Sequence, residues 1–131
     1  MNLESPKTTV NKSAQDIFDF LSDVKNFEKL MPENISKFEI IDHETFLFAL
    51  KGMPEITLKK KEVMAPNKIV LGAAGGKIDF SLVGIITELE SEKSDVQLVF
   101  NGDFNPMMSM MIKGPISKFI ETLTTNIPSA L

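Results

Sequence analysis

The chain of 131 residues has no cysteine, arginine, tryptophan or tyrosine, and its single histidine is His43. Without cysteine there is no disulfide, thiol nucleophile or thiolate metal site. Without arginine the planar fork that grips phosphate or carboxylate in bidentate fashion is missing. All 14 basic residues are lysine and the formal net charge is −4, so no nucleic-acid partner is expected. The one basic run, Lys59-Lys60-Lys61, reads as a solvated strand, or an edge guarded against aggregation, rather than a binding patch. No apolar run approaches the roughly 18 residues of a membrane span. The opening MNLESPKTTV lacks the basic and apolar regions of a signal peptide. A cytoplasmic protein without a membrane span is the expectation.

Catalytic motifs are missing too. The sequence contains no HExxH, no GxSxG and no phosphate-binding glycine loop. Gly72 to Gly76, GAAGG, is followed by Lys77 but by neither Ser or Thr nor a helical pattern, and it reads as a hairpin turn. His43 lies between Asp42 and Glu44 in an expected turn. Three adjacent turn residues rarely converge on one point, so His43 reads as exposed rather than as a base or metal ligand. Asp79 alternates with the apolar set of its strand and should point outward. Lys60 and Glu62 share parity with Ile56 and Leu58. That places them at a pocket mouth or, more simply, on a strand leaving the core. No catalytic residue, metal or cofactor is assigned, and an enzyme would need a positioned acid, base or oxyanion donor.

What the chain does contain begins at Thr8. Thr8, Thr9 and Val10 favour an extended backbone. Ser13 is a good N-cap, with Asp16 three residues on resembling a capping box. Ile17, Phe18, Phe20, Leu21 and Val24 follow helical spacing. Val24 to Met31 can add two turns that bury Phe27, Leu30 and Met31, and Pro32 ends them.

This opening resembles the helix-grip superfamily, which includes START lipid-transfer domains, birch-pollen-allergen proteins and polyketide cyclases. The matching residues are Val10, Ser13, Asp16-Ile17-Phe18, Leu21-Ser22-Asp23-Val24, Asn26-Phe27 and Leu30-Met31-Pro32. The similarity is closest to small bacterial members of the cyclase/dehydrase and lipid-transport-like type. It implies an α+β fold: a curved antiparallel sheet wrapped around a long C-terminal helix, with two short helices after the first strand. It also implies an apolar space between sheet and helix. Such folds carry many unrelated activities.

The remainder agrees with that fold. Ser36 to Ile41 and Thr45 to Lys51 read as paired strands, with Phe46, Phe48 and Leu50 on one face. Gly52-Met53-Pro54 is a turn. Glu55 to Met64 and Lys68 to Ala74 follow as strands, and Gly75-Gly76 reverses the chain. Lys77 to Leu89 is a long strand with Ile78, Phe80, Leu82 and Ile86 on one face, and Gly84 marks a bulge or bend. Asp95 to Phe100 directs Val96, Leu98 and Phe100 inward. Short connections predict an antiparallel meander, and one domain over residues 1–131.

Asn105-Pro106 starts the last helix, which opens on Met107, Met108, Met110, Met111 and Ile112. Gly114-Pro115 is expected to break or kink it. Beyond that point Ile116, Phe119, Ile120, Leu123 and Ile127 share a stripe. Clustered methionines either fill irregular core gaps or line an adaptable apolar surface.

The expected ligand site lies between sheet residues Phe46, Phe48, Leu58, Phe80, Leu98 and Phe100 and helix residues Met108, Met111, Ile112 and Phe119. Its occupant would be a small apolar or amphipathic molecule, lipid- or polyketide-like. Two alternatives stand beside this reading: a cyclase/dehydratase-type enzyme, implied by the resemblance alone, and a filled core acting through its surface or as a dimer. The protein is expected as a monomer or homodimer.

Overall fold

A computed structural model describes residues 1–53, 55–74 and 80–131. In chain order its elements are β1 (Asn2–Glu4), β2 (Thr8–Val10), α1 (Ala14–Ser22), a 3-10 helix (Val24–Leu30), β3 (Ile35–Asp42), β4 (Thr45–Leu50), β5 (Ile56–Met64), β6 (Lys68–Ala73), β7 (Phe80–Glu90), β8 (Lys93–Gly102) and α2 (Pro106–Ala130). The strands form one antiparallel sheet in the order β1-β8-β7-β6-β5-β4-β3, with β2 also on β8. It is the curved sheet, two short helices and long final helix of a helix-grip fold. No described helix is long and apolar enough to cross a membrane.

The caps follow from local chemistry. Ser13 Oγ accepts from the Asp16 amide at 3.1 Å and starts α1. Asp23 Oδ1 accepts from the Lys25 amide at 3.1 Å and opens the 3-10 helix. Asn105 Oδ1 accepts from the Met108 amide at 2.8 Å, with Pro106 in the first turn of α2.

Three expectations change. First, α2 does not break at Gly114-Pro115: one helix runs from Pro106 to Ala130, through Pro115 and Pro128. An interior proline costs about 3 kcal/mol. Against it stand Ile112, Ile116, Phe119, Ile120, Leu123 and Ile127, all buried, each stabilising by roughly 1.5–3 kcal/mol. Packing wins by a wide margin. Second, Gly84 is not a bulge. It pairs in unbroken register with Ile69 on one side and Leu98 on the other. Third, the opening strand is a divided edge, with β1 preceding β2 on the same partner strand.

Ser5 explains how that divided edge holds. Pro6 cannot donate to the ladder. At the gap the Ser5 amide donates to the Leu98 carbonyl at 2.9 Å. The Leu98 amide in turn donates to Ser5 Oγ at 3.0 Å. The side-chain oxygen takes the place of a ladder carbonyl, and Ser5 is buried. The Thr124 hydroxyl of α2 lies 3.0 Å from the same Ser5 oxygen, so the edge is also tied to the last helix. Ile78, Asp79 and the Gly75-Gly76 reversal lie outside the described residues.

Candidate functional site

Among the described residues the inward faces of sheet and helix meet. Phe46, Phe48, Leu58, Leu98, Phe100, Ile112 and Phe119 belong to one buried cluster, and Phe80 is half-buried against it. Phe46 stacks on Phe27 at 5.1 Å and on Phe38 at 5.5 Å between ring centroids. Phe48 lies 6.0 Å from Phe46, and 4.7 Å from Phe119 of the helix. Deeper in, a void lined by Leu21, Phe27, Ile69, Leu71, Leu82, Gly84 and Leu98 measures about 10 Å³. That is at the lower limit for one water. The sheet residues of the expected site therefore share one buried cluster with Ile112 and Phe119 of the helix. Strand parity and helical spacing identify which side chains point inward; they carry no information on whether the rings meet.

Two of the expected helix residues lie elsewhere. Met111 is 69% exposed and Met108 is half-buried. Both face the turn that follows β4. Gly52 shapes that turn with φ +83, a conformation disfavoured for residues with a Cβ. The Met53 amide donates to the Leu50 carbonyl at 2.9 Å, and the Lys51 amide donates to the Asn34 carbonyl at 2.9 Å. The turn is thus pinned to the start of β3.

Between this turn and the first turns of α2 runs a groove of about 690 Å³. Leu50, Met53, Met108, Met111, Ile112 and Pro115 give it an apolar wall, and Asn34, Lys51 and Lys118 are its polar margin. Past Pro115 it meets a second space of about 560 Å³, where Met31, Pro32, Glu33, Thr122 and Asn126 join Asn34, Leu50, Pro115 and Lys118. Met108, Met111 and Ile112 are the expected site residues that reach the groove; Phe119 touches the second space. The sequence reading missed Leu50, Met53, Pro115, Lys118, Lys51 and Asn34. A methionine inside the Gly52-Met53-Pro54 turn was the available signal, because turns ordinarily carry polar residues.

Elsewhere the polar groups have structural roles. Lys60 is half-buried and its ammonium donates to the Ser22 carbonyl at 3.1 Å, fastening β5 to the end of α1. Lys59, Lys61 and Glu62 are exposed. His43 is 86% exposed, with Nε2 3.6 Å from Glu44. Asp42 accepts the Glu44 amide at 2.8 Å, which holds its carboxyl below the usual carboxylate range. Lys37 is raised above the usual lysine value, first by its hydrogen bond to Glu55 at 2.8 Å and then by the charge of Glu39. Neither Asp42 nor Lys37 lines the groove. Among the described residues no three His, Asp or Glu side chains converge on a possible metal position.

No family model matches the sequence, and no curated protein matches it. Solved structures do share the fold. Norcoclaurine synthase from Thalictrum flavum superposes with TM-score 0.76 at 14% identity, over 98% of this chain and 84% of that one. A START superfamily protein from Mycobacterium smegmatis gives 0.70 at 12% identity, over 99% of both chains. A conserved protein from Geobacillus kaustophilus gives 0.71 at 13%, over 98% and 93%. At such identities the likeness establishes the helix-grip fold and no particular activity.

Proposed function

We propose that the protein binds a small apolar or amphipathic molecule in the groove between the 51–53 turn and the methionine turns of α2. The observation that carries this reading is the groove itself, about 690 Å³ with an apolar wall of Leu50, Met53, Met108, Met111, Ile112 and Pro115. Small-molecule sites typically measure about 300–1,000 Å³, with mostly apolar linings and a few polar groups. Methionine suits such a wall because its unbranched, polarizable side chain adapts to the shape of its partner. Binding is driven by apolar burial, on the order of 25 cal/mol per Å² removed from water. A structure of norcoclaurine synthase in complex with dopamine and hydroxybenzaldehyde is a precedent for small-molecule binding on this architecture.

The reading is binding without catalysis. A cyclase or dehydratase reaction needs a positioned acid, base or oxyanion donor. Lys51, Lys118 and Asn34 are the groove's polar side chains, with Glu33 in the adjoining space, and all are exposed.

One observation favours a second reading, association through the surface. Met107, Met110 and Met111 are 75%, 83% and 69% exposed on adjacent turns of one helix, and exposed apolar patches mark contact sites. Native mass spectrometry of protein purified without organic solvent tests both. Retained small-molecule mass on the monomer supports the groove reading. A ligand-free dimer that Met107→Ser and Met110→Ser convert to monomer supports association instead.

A further inference from the structure

We infer that the groove's ligand carries a negative charge: an apolar chain ending in a carboxylate. The inference rests on the groove reading above and adds to it the chemistry of the ligand's head. The chain as a whole is acidic, with 18 Asp and Glu against 14 Lys. The larger groove reverses that balance. Among the described residues Lys51 and Lys118 line it and no Asp or Glu does, while Glu33 lines the adjoining space beside Asn34. Among the described residues neither lysine belongs to an ion pair or a side-chain hydrogen bond. Lys37 and Lys60, by contrast, are engaged by Glu55 and the Ser22 carbonyl.

The arrangement also has a direction. Asn34, Leu50, Pro115 and Lys118 are shared with the adjoining, more polar space, whereas Met53, Met108, Met111 and Ile112 belong to the apolar arm. A head group at Lys118 and Asn34 therefore leaves its chain along the methionines. A carboxylate fits better than a phosphate. Lysine ammoniums bind either group as point charges. A phosphate clamp draws on arginine forks or helix N-termini; this chain has no arginine, and Asn105 and Pro106, which start α2, are not in the lining.

The test compares four probes of one chain length, decanoate, decanol, decylammonium and decyl phosphate, each below its aggregation concentration. They are titrated into the full chain labelled with 13C at its methionine methyls. Decanoate is expected to shift the Met53, Met108 and Met111 methyl signals with about five-fold or greater preference over decanol, a margin that falls with added salt. Decylammonium should bind more weakly than decanol. Lys51→Gln combined with Lys118→Gln should bring decanoate down to the level of decanol measured on the same variant, with thermal stability unchanged. Equal shifts by decanoate and decanol overturn the charge inference and leave the groove reading standing. No shift at these methyls with any probe, or shifts confined to Met1 and Met64, overturn both. Decyl phosphate binding more tightly than decanoate overturns the choice of carboxylate.

Discussion

Phe48 of β4 and Phe119 of α2 stack with their ring centroids 4.7 Å apart and their planes 11° from parallel. Both are almost completely buried. Through this pair the long helix packs onto the sheet. The consequence is a division of labour along α2. Its stripe from Ile112 to Ile127 builds the core, and its first turns, with Met107, Met110 and Met111 exposed, meet the surroundings.

Phe119→Ala should cost about 3–5 kcal/mol of unfolding free energy in urea, because a buried ring is removed from a packed stack. A loss below about 1 kcal/mol would mean that the interior closes around the deletion and that the stack contributes little.

Met111→Trp should behave in the opposite way. Met111 is 69% exposed, so the change should leave thermal stability within about 0.5 kcal/mol of the parent. Its indole should nonetheless obstruct the groove and reduce uptake of an apolar fluorescent probe. Undiminished probe binding in a stable variant argues against the groove; a large loss of stability makes Met111 an ordinary packing residue.

Gly84→Ala should stabilise the protein by about 0.4–1 kcal/mol. A methyl there would meet Leu21 Cδ1 and Leu98 Cδ2 at 3.7 Å and no atom closer. These are ordinary contacts on the wall of the 10 Å³ void. The backbone conformation suits alanine, since Gly52 has the positive φ recorded among the glycines. A fall in the melting temperature would show that the sheet needs glycine at this position.

Ser5→Ala should cost about 1–3 kcal/mol. The Leu98 amide donates to Ser5 Oγ at a buried position, and removing the oxygen leaves that N–H without its partner. Hydrogen exchange at the Leu98 amide gives the local readout, with faster exchange expected in the variant. Unchanged protection would mean that another acceptor or water replaces the hydroxyl.

Much of this architecture was legible in the linear chain. Ser13 and Asn105 announced their helices, because an N-cap is a local device acting within three residues. Alternation identified Phe46, Phe48, Leu82, Ile86, Val96, Leu98 and Phe100 as inward-facing, and all are buried, because strand geometry sends successive side chains to opposite faces. The helical stripe Ile116, Phe119, Ile120, Leu123 and Ile127 is buried for the corresponding reason. Local signals misled where long-range packing opposed them. Gly114-Pro115 was expected to break or kink the helix, yet the buried stripe on both sides holds α2 unbroken. Gly84 was expected to mark a bulge or a bend, and its two partner strands keep it in register without a bulge.

By itself, then, the sequence determined the elements, their inward faces and the helix-grip order, since capping, periodicity and turn chemistry act between near neighbours. It also excluded thiol chemistry and arginine clamps by simple absence. Only the tertiary structure decided whether the inward faces touch. That depends on the distance between sheet and helix, set by the summed volumes of side chains far apart in sequence, such as Phe27, Phe46, Phe48 and Phe119. Once those rings fill the interior, the remaining apolar space forms at the rim, where the 51–53 turn meets the methionine turns of α2. No local pattern encodes the approach of two segments separated by more than fifty residues.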